Sequence, residues 1–320
     1  MYRRACMGRY VIRRLIQAIP VLLGATLLIF MIVFALPGDP IAALFGDKRP
    51  DPAVAEVLRE QYHLNDPLLL QYWYYISGVL FRGDFGVNFA DVPVSQVMAG
   101  KFQVTLNLAL TALVMEALIG VGLGLWAALR RGKATDTAIL ASTLLLISVP
   151  TLVTGFVLQL ILGVKLKLWT GLDIFPVAGT FAGWRSYLLP GFVLAGTSIA
   201  YLTRLTRTSL VETLRADYIR TATAKGLPRR RVIGRHGLRN ALIPLVTYLG
   251  ADLGNLMGGA VITETIFNLP GIGNQLFQSV YLREQPVVVG IITVLVLIYI
   301  LANLVVDLLY AVLDPRIRYE

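Results

Sequence analysis

Few side chains in this 320-residue sequence are equipped for chemistry. Its two histidines, His63 and His236, are far apart in the chain, and a single cysteine, Cys6, excludes an internal disulfide framework or a thiolate metal cage. No G-x-x-x-x-G-K-[ST] phosphate loop, G-x-S-x-G elbow or H-E-x-x-H pair occurs. Two acids stand out instead, because Glu116 and Asp252 each interrupt a long apolar run. A carboxylate inside hydrocarbon costs at least ~2.5 kcal/mol unless it meets water or a partner, so each marks either a polar passage or a helix contact. Neither has an activated nucleophile beside it. The expectation is passage or packing rather than catalysis, with no metal and no cofactor held by this chain.

Apolar helices must position those acids. Apolar residues make up 56% of the chain and charged ones 15%, where soluble domains carry about a quarter charged. Six runs approach or exceed the roughly 20 helical residues that cross a bilayer: 15–36, about 106–129, 137–162, 187–203, 241–263 and 287–309. Glu116 falls in the second and Asp252 in the fifth. The first run follows Arg3, Arg4, Arg9, Arg13 and Arg14 as a signal peptide would, but it is too long for one and no small-x-small site follows, so it is expected to stay as an anchor. Pro37-Gly38-Asp39-Pro40 should end that helix. Beyond it, Asp51-Pro52 opens a short helix, and Gln71-Tyr72-Trp73-Tyr74-Tyr75 suits a membrane interface.

Orientation follows from the basic residues. With the N-terminus inside, 20 of the 29 Lys and Arg residues fall in cytoplasmic segments, as the positive-inside rule requires. Topology accounts for the net charge of +10 without nucleic acid. The expected fold is an all-α polytopic membrane protein of six spans with both termini cytoplasmic. Residues 1–36 form the N-terminus and first helix, and 37–104 a small extracytoplasmic cap. Residues 105–311 form a five-helix core with a cytoplasmic loop over 204–240, and 312–320 a cytoplasmic tail.

That loop is the most informative segment. Residues 218–225 favour helix, Gly226 ends it, and Pro228 sits just past the stop. A second helix can start near Arg229 and lead into the fifth span. Two short helices lying flat on the membrane surface suit anionic lipid or another protein, for which Ala222 and Ala224 leave room.

The loop resembles the EAA loop of permease subunits of ATP-binding-cassette importers, in the form found in the dipeptide, oligopeptide and nickel group. The residues that carry the resemblance are Asp217, Tyr218, Arg220, Thr221, Ala222, Ala224, Lys225 and Gly226, then His236, Arg239, Asn240 and Pro244. Gly83-Asp84-Phe85-Gly86, Thr263-Glu264-Thr265-Ile266-Phe267, Pro270-Gly271-Ile272-Gly273 and Asp307 with Asp314-Pro315-Arg316 are similar to the same group. Arg220 and Thr221 replace the Glu-Ala of the broader importer pattern. The resemblance implies a bacterial inner-membrane protein that pairs with a second homologous permease subunit. It also implies docking on two cytoplasmic ATPase subunits, which would bind ATP and Mg, and receipt of a peptide-like solute from an extracytoplasmic binding protein. Close relatives handle nickel chelates, haem and other solutes. A secondary transporter driven by ion gradients is the rival class, but no repeat of the kind it uses is visible.

The fifth span divides into two faces. Gly250, Gly254 and Gly258 recur every fourth residue and suit close helix packing. Tyr248, Asp252, Asn255 and Gly259 form a separate stripe, with Asp252 near mid-membrane, and are the candidates for lining a path. Glu116 shares a face with Gly120 and Gly124; it reads first as a packing residue and second as a path candidate.

Overall fold

The computed structural model describes residues 2–35, 51–61, 64–88 and 90–313, with side chains over 13–34, 51–57, 59–60, 64–88 and 90–305. The helix stop at Pro37–Pro40, His63, the side chains of Cys6 and Asp307, and the tail over 314–320 lie outside these ranges. Among the described residues the helices are α1 (Tyr2–Ala35), α2 (Pro52–Gln61), α3 (Leu68–Arg82), α4 (Val94–Leu129), α5 (Ala134–Ser148), α6 (Thr151–Thr170) and α7 (Leu188–Thr213). They continue with α8 (Asp217–Ala224), α9 (229–241), α10 (Ile243–Ile266), α11 (Ile272–Tyr281) and α12 (Gln285–Leu313). Six candidate spans are long and apolar enough to cross a membrane: Arg13–Phe34, Val94–Leu129, Thr151–Thr170, Gly183–Thr213, Ile243–Ile266 and Gln285–Val305.

Two spans differ from expectation. The third is not one helix from 137 to 162: Val149 adopts an extended backbone before Pro150, and the chain restarts as α6 and runs on to Thr170. The proline ring disfavours helix for the residue before it and has no N–H to donate. The fourth span continues past 203 to Thr213, because Thr203, Thr206 and Leu210 are buried along one face while Arg204 and Arg207 leave from another. The loop at this end therefore begins near Leu214 rather than at 204.

The chain divides into two compact units. Met1–Thr105 with Pro270–Leu301 makes the first. Its core joins Phe30 and Val33 of α1 to Tyr72 and Tyr75 of α3 and to Val288 and Val289 of α12. A neighbouring cluster joins Val94 and Met98 of α4 to Ile272 of α11 and to Val287 and Ile291 of α12. Gly290 makes that approach possible, since a Cβ there would lie 2.7 Å from Val94 Cγ1. Leu106–Leu269 with Ala302–Glu320 makes the second unit, in which α7 packs chiefly against α10 and α5. Gly124 of α4 lies so close to α7 that an added Cβ would sit 2.4 Å from Thr206 Cβ and 2.6 Å from the Thr203 carbonyl oxygen.

Candidate coupling loop and translocation path

The loop folds as two helices with a glycine corner. Asp217 opens α8, where a carboxylate favours the helix dipole. At its other end the Gly226 N–H bonds to the Thr223 oxygen and Gly226 takes a φ of +74°, a conformation open to glycine at little cost. Ile219 and Ala222 turn inward and pack on Val232 and Leu227. Asp217, Tyr218, Arg220, Thr221, Ala224, Lys225 and Gly226 are all exposed. The room expected at Ala222 for another protein is thus taken by the loop's own core, and Ala224 is the small residue on the outer side. Arg220 stands 3.7 Å from Asp217 with both side chains in solvent, a pairing worth little.

One hydrogen bond joins the loop's two helices, and further contacts tie the loop to the bundle. Asn240 Nδ2 donates to the Tyr218 hydroxyl at 2.9 Å, and Ser209 Oγ donates to the Ala241 carbonyl at 2.9 Å. Ala128 of α4, Leu210 of α7 and Ala241 of α9 form a buried cluster under the loop. Gly237 lets α9 approach α7, since a Cβ there would lie 3.0 Å from Leu214 Cδ2. A displacement of α8 therefore has a packed route to the ends of α4, α7 and α10.

Within the second unit, four of the five path candidates, Glu116, Tyr248, Asp252 and Asn255, come together. Glu116 of α4 is fully buried, and among the described residues no donor stands in good hydrogen-bond geometry to either carboxyl oxygen. Its polar neighbours are Asp252 of α10 and Ser198 of α7. Asp252 is buried; its Oδ1 accepts from Asn255 Nδ2 at 3.1 Å, and its Oδ2 has no donor. Tyr248 faces Ser198 in the neighbourhood of both acids, its ring stacked on Tyr201 with centroids 4.7 Å apart. No basic side chain is among the groups acting on Glu116 or Tyr248. Two carboxyls with unfilled acceptor capacity suit a cation or a cluster of donors.

Asn255 and Gly259 are exposed, one turn and two turns along α10 from Asp252. The glycine face is not closed along its length: Gly254 is buried, but Gly258 is exposed with no atom within 4 Å of an added Cβ. Close glycine packing occurs instead on α4, where Gly120 meets Leu202 and Gly124 meets Thr206. Glu116 thus sits on a packed face and beside Asp252 at once.

Two features escaped sequence reasoning. Ser198 carries no signal of its own in an apolar run. Arg207 Nε and Nη2 donate to Asp136 Oδ1 and Oδ2 at 2.6 and 2.7 Å, fastening the start of α5 to α7. The arginine, then the Gly132 N–H at 2.9 Å, hold the Asp136 carboxyl below the usual aspartate range.

The model of the family "Binding-protein-dependent transport system inner membrane component" matches residues 120–319, and that of its N-terminal region matches residues 7–109. The glutathione transport system permease proteins GsiC of Escherichia coli (strain K12) and of Salmonella typhimurium (strain LT2) are each 40% identical over 315 residues, covering 98% of this chain and 100% of theirs. A crystal structure of an amino acid ABC transporter with histidines superposes with a TM-score of 0.50 at 18% identity, over 67% of this chain and 93% of that one, which concerns the fold alone. The chain is a multi-pass inner-membrane permease subunit, not an enzyme, and belongs to the family of inner membrane components of binding-protein-dependent ABC importers.

Proposed function

We propose that this chain forms half of the translocation path for di- or oligopeptide-like solutes, and that α8 transmits ATPase motion to it. Two cytoplasmic ATPase subunits, holding ATP and Mg, would dock on the exposed side of α8, with both termini on the same side of the membrane. A second permease subunit would complete the path, and an extracytoplasmic binding protein would deliver the solute. Support for a peptide-like solute comes from relatives of 40% identity that carry glutathione in their names, a tripeptide. The observation that carries the reading is the meeting of Glu116 and Asp252 beside Tyr248 with no basic neighbour acting on Glu116. Such a pair draws in the ammonium end of a peptide.

Asp252→Asn keeps the shape and removes the charge. Its expected result is intact assembly, with uptake falling most for peptides with a free amino end and least for N-acetylated ones. Uptake assays with both peptide forms, beside a melting curve of the detergent-solubilised complex, decide the matter. A lower melting temperature with unchanged solute preference would assign Asp252 to packing.

A further inference from the structure

The helix α3 lies in the segment expected to be a cap outside the membrane, yet its contacts place it deeper. The Tyr72 hydroxyl donates to the Leu23 carbonyl at 3.0 Å and pairs with Thr26 Oγ1 at 2.9 Å. Leu23 lies near the centre of the apolar stretch Arg13–Phe34, roughly 15 Å from either end at the rise of a helix. That depth holds whichever way α1 points. The Tyr75 hydroxyl donates to Thr293 Oγ1 at 2.7 Å, and Thr293 is roughly 12 Å along α12 from Gln285. Gln285 Nε2 donates to the Val33 carbonyl, so these ends of α1 and α12 are level. Both tyrosines therefore reach well below the level where the two spans begin.

The composition of α3 fits such a place. Tyr72, Tyr75, Ile76 and Val79 form its inner face. Its outer face carries Leu69, Leu70, Trp73, Tyr74, Leu80 and Phe81, with Trp73 61% and Phe81 82% exposed. No charge occurs from Leu68 to Phe81. Several polar groups at the helix ends are satisfied internally, which suits hydrocarbon. At the start, Gln71 Nε2 donates to the Leu64 and Asp66 carbonyls. At the end, Gly83 in the left-handed conformation returns its N–H to Val79, and the Asp84 N–H returns to Gly78. An exposed apolar patch of this size in water is rare.

We infer that α3 lies within one leaflet of the bilayer, its Leu69–Trp73–Phe81 side covered by the acyl chains of membrane lipid. With 15 residues it is roughly 22 Å long, too short to cross a core about 30 Å thick. It is a membrane-embedded element that does not span. On α1 the apolar side chains Val21, Leu28 and Ile32 are likewise exposed. The inference depends on the chain being a membrane protein and is independent of the solute.

The test uses the full chain in native membranes opened to expose both faces. In a Cys6→Ser background, single cysteines replace Leu69, Trp73 or Phe81, with one at Asp51 as the aqueous reference. Because the three side chains project outward, the substitutions leave the core in place. A charged, membrane-impermeant maleimide should label Asp51→Cys and fall to background at the other three. In parallel, a benzophenone amino acid at Trp73 is photolysed and its adducts are resolved by mass. Lipid adducts with protection from maleimide support the inference. Labelling equal to that at Asp51 overturns it by placing the face in water. A protein adduct overturns it by giving the face to the second permease subunit or the binding protein.

Discussion

Asp136 and Arg207 stand 71 positions apart, and nothing in their neighbourhoods announces that they meet. Arg207 reads as one of many cytoplasmic basic residues, and Asp136 as the end of a short loop. The pair depends on α7 continuing past Thr203, which brings Arg207 to the start of α5. Its contribution can be isolated by pH. The folded carboxyl sits below the usual aspartate pKa, so its stabilisation is present above that value and is lost as pH falls through the folded one. Asp136→Asn should cost about 2 kcal/mol at neutral pH, as loss of a charge-assisted hydrogen-bond pair does. The gap between the melting temperatures of wild type and variant should begin to narrow as pH falls below about 4 and close only below the carboxyl's lower folded pKa. A constant gap across that range would mean that the ion pair is not the source of the difference. Glu116 and Asp252 were legible in a way this pair was not, because an acid in an apolar run is conspicuous by itself. That they share one place was not legible, since it depends on how α4, α7 and α10 pack.

Element boundaries are readable where backbone chemistry sets them and the flanking composition changes with it. Gly226 followed by Pro228 marks the end of α8, and the left-handed φ of Gly226 is the physical reason. Val149-Pro150 carries the same kind of signal for the break between α5 and α6, but the apolar character on both sides masked it. The end of α7 is hidden for the opposite reason, because charges at Arg204 and Arg207 close the apolar run while the helix itself continues to Thr213. The inward and outward sides of α8 were also hidden, since an alanine serves either. That distinction yields a paired prediction. Ala222→Trp should break the small core of Ile219, Val232 and Leu227 and open the loop to limited proteolysis. Ala224→Trp, on the exposed side, should leave membrane level and protease resistance unchanged while abolishing uptake. Normal uptake with Ala224→Trp would remove the outer side of α8 from coupling.

At the scale of the molecule, hydropathy predicts six spans, and six long apolar helices are found among the described residues, because each must satisfy its own backbone hydrogen bonds in lipid. What hydropathy misses is α3, an apolar helix too short to count as a span. As half of a path, the chain would depend on motion driven from outside itself, through α8. Purification through a tag on this chain, from native membranes in mild detergent, measures that dependence without knowledge of the solute. The expected result is recovery of a second permease subunit and of ATPase subunits that hydrolyse ATP, with the ATPase subunits lost from the Ala224→Trp preparation. Recovery of this chain alone or only with copies of itself, without ATPase, would contradict the account.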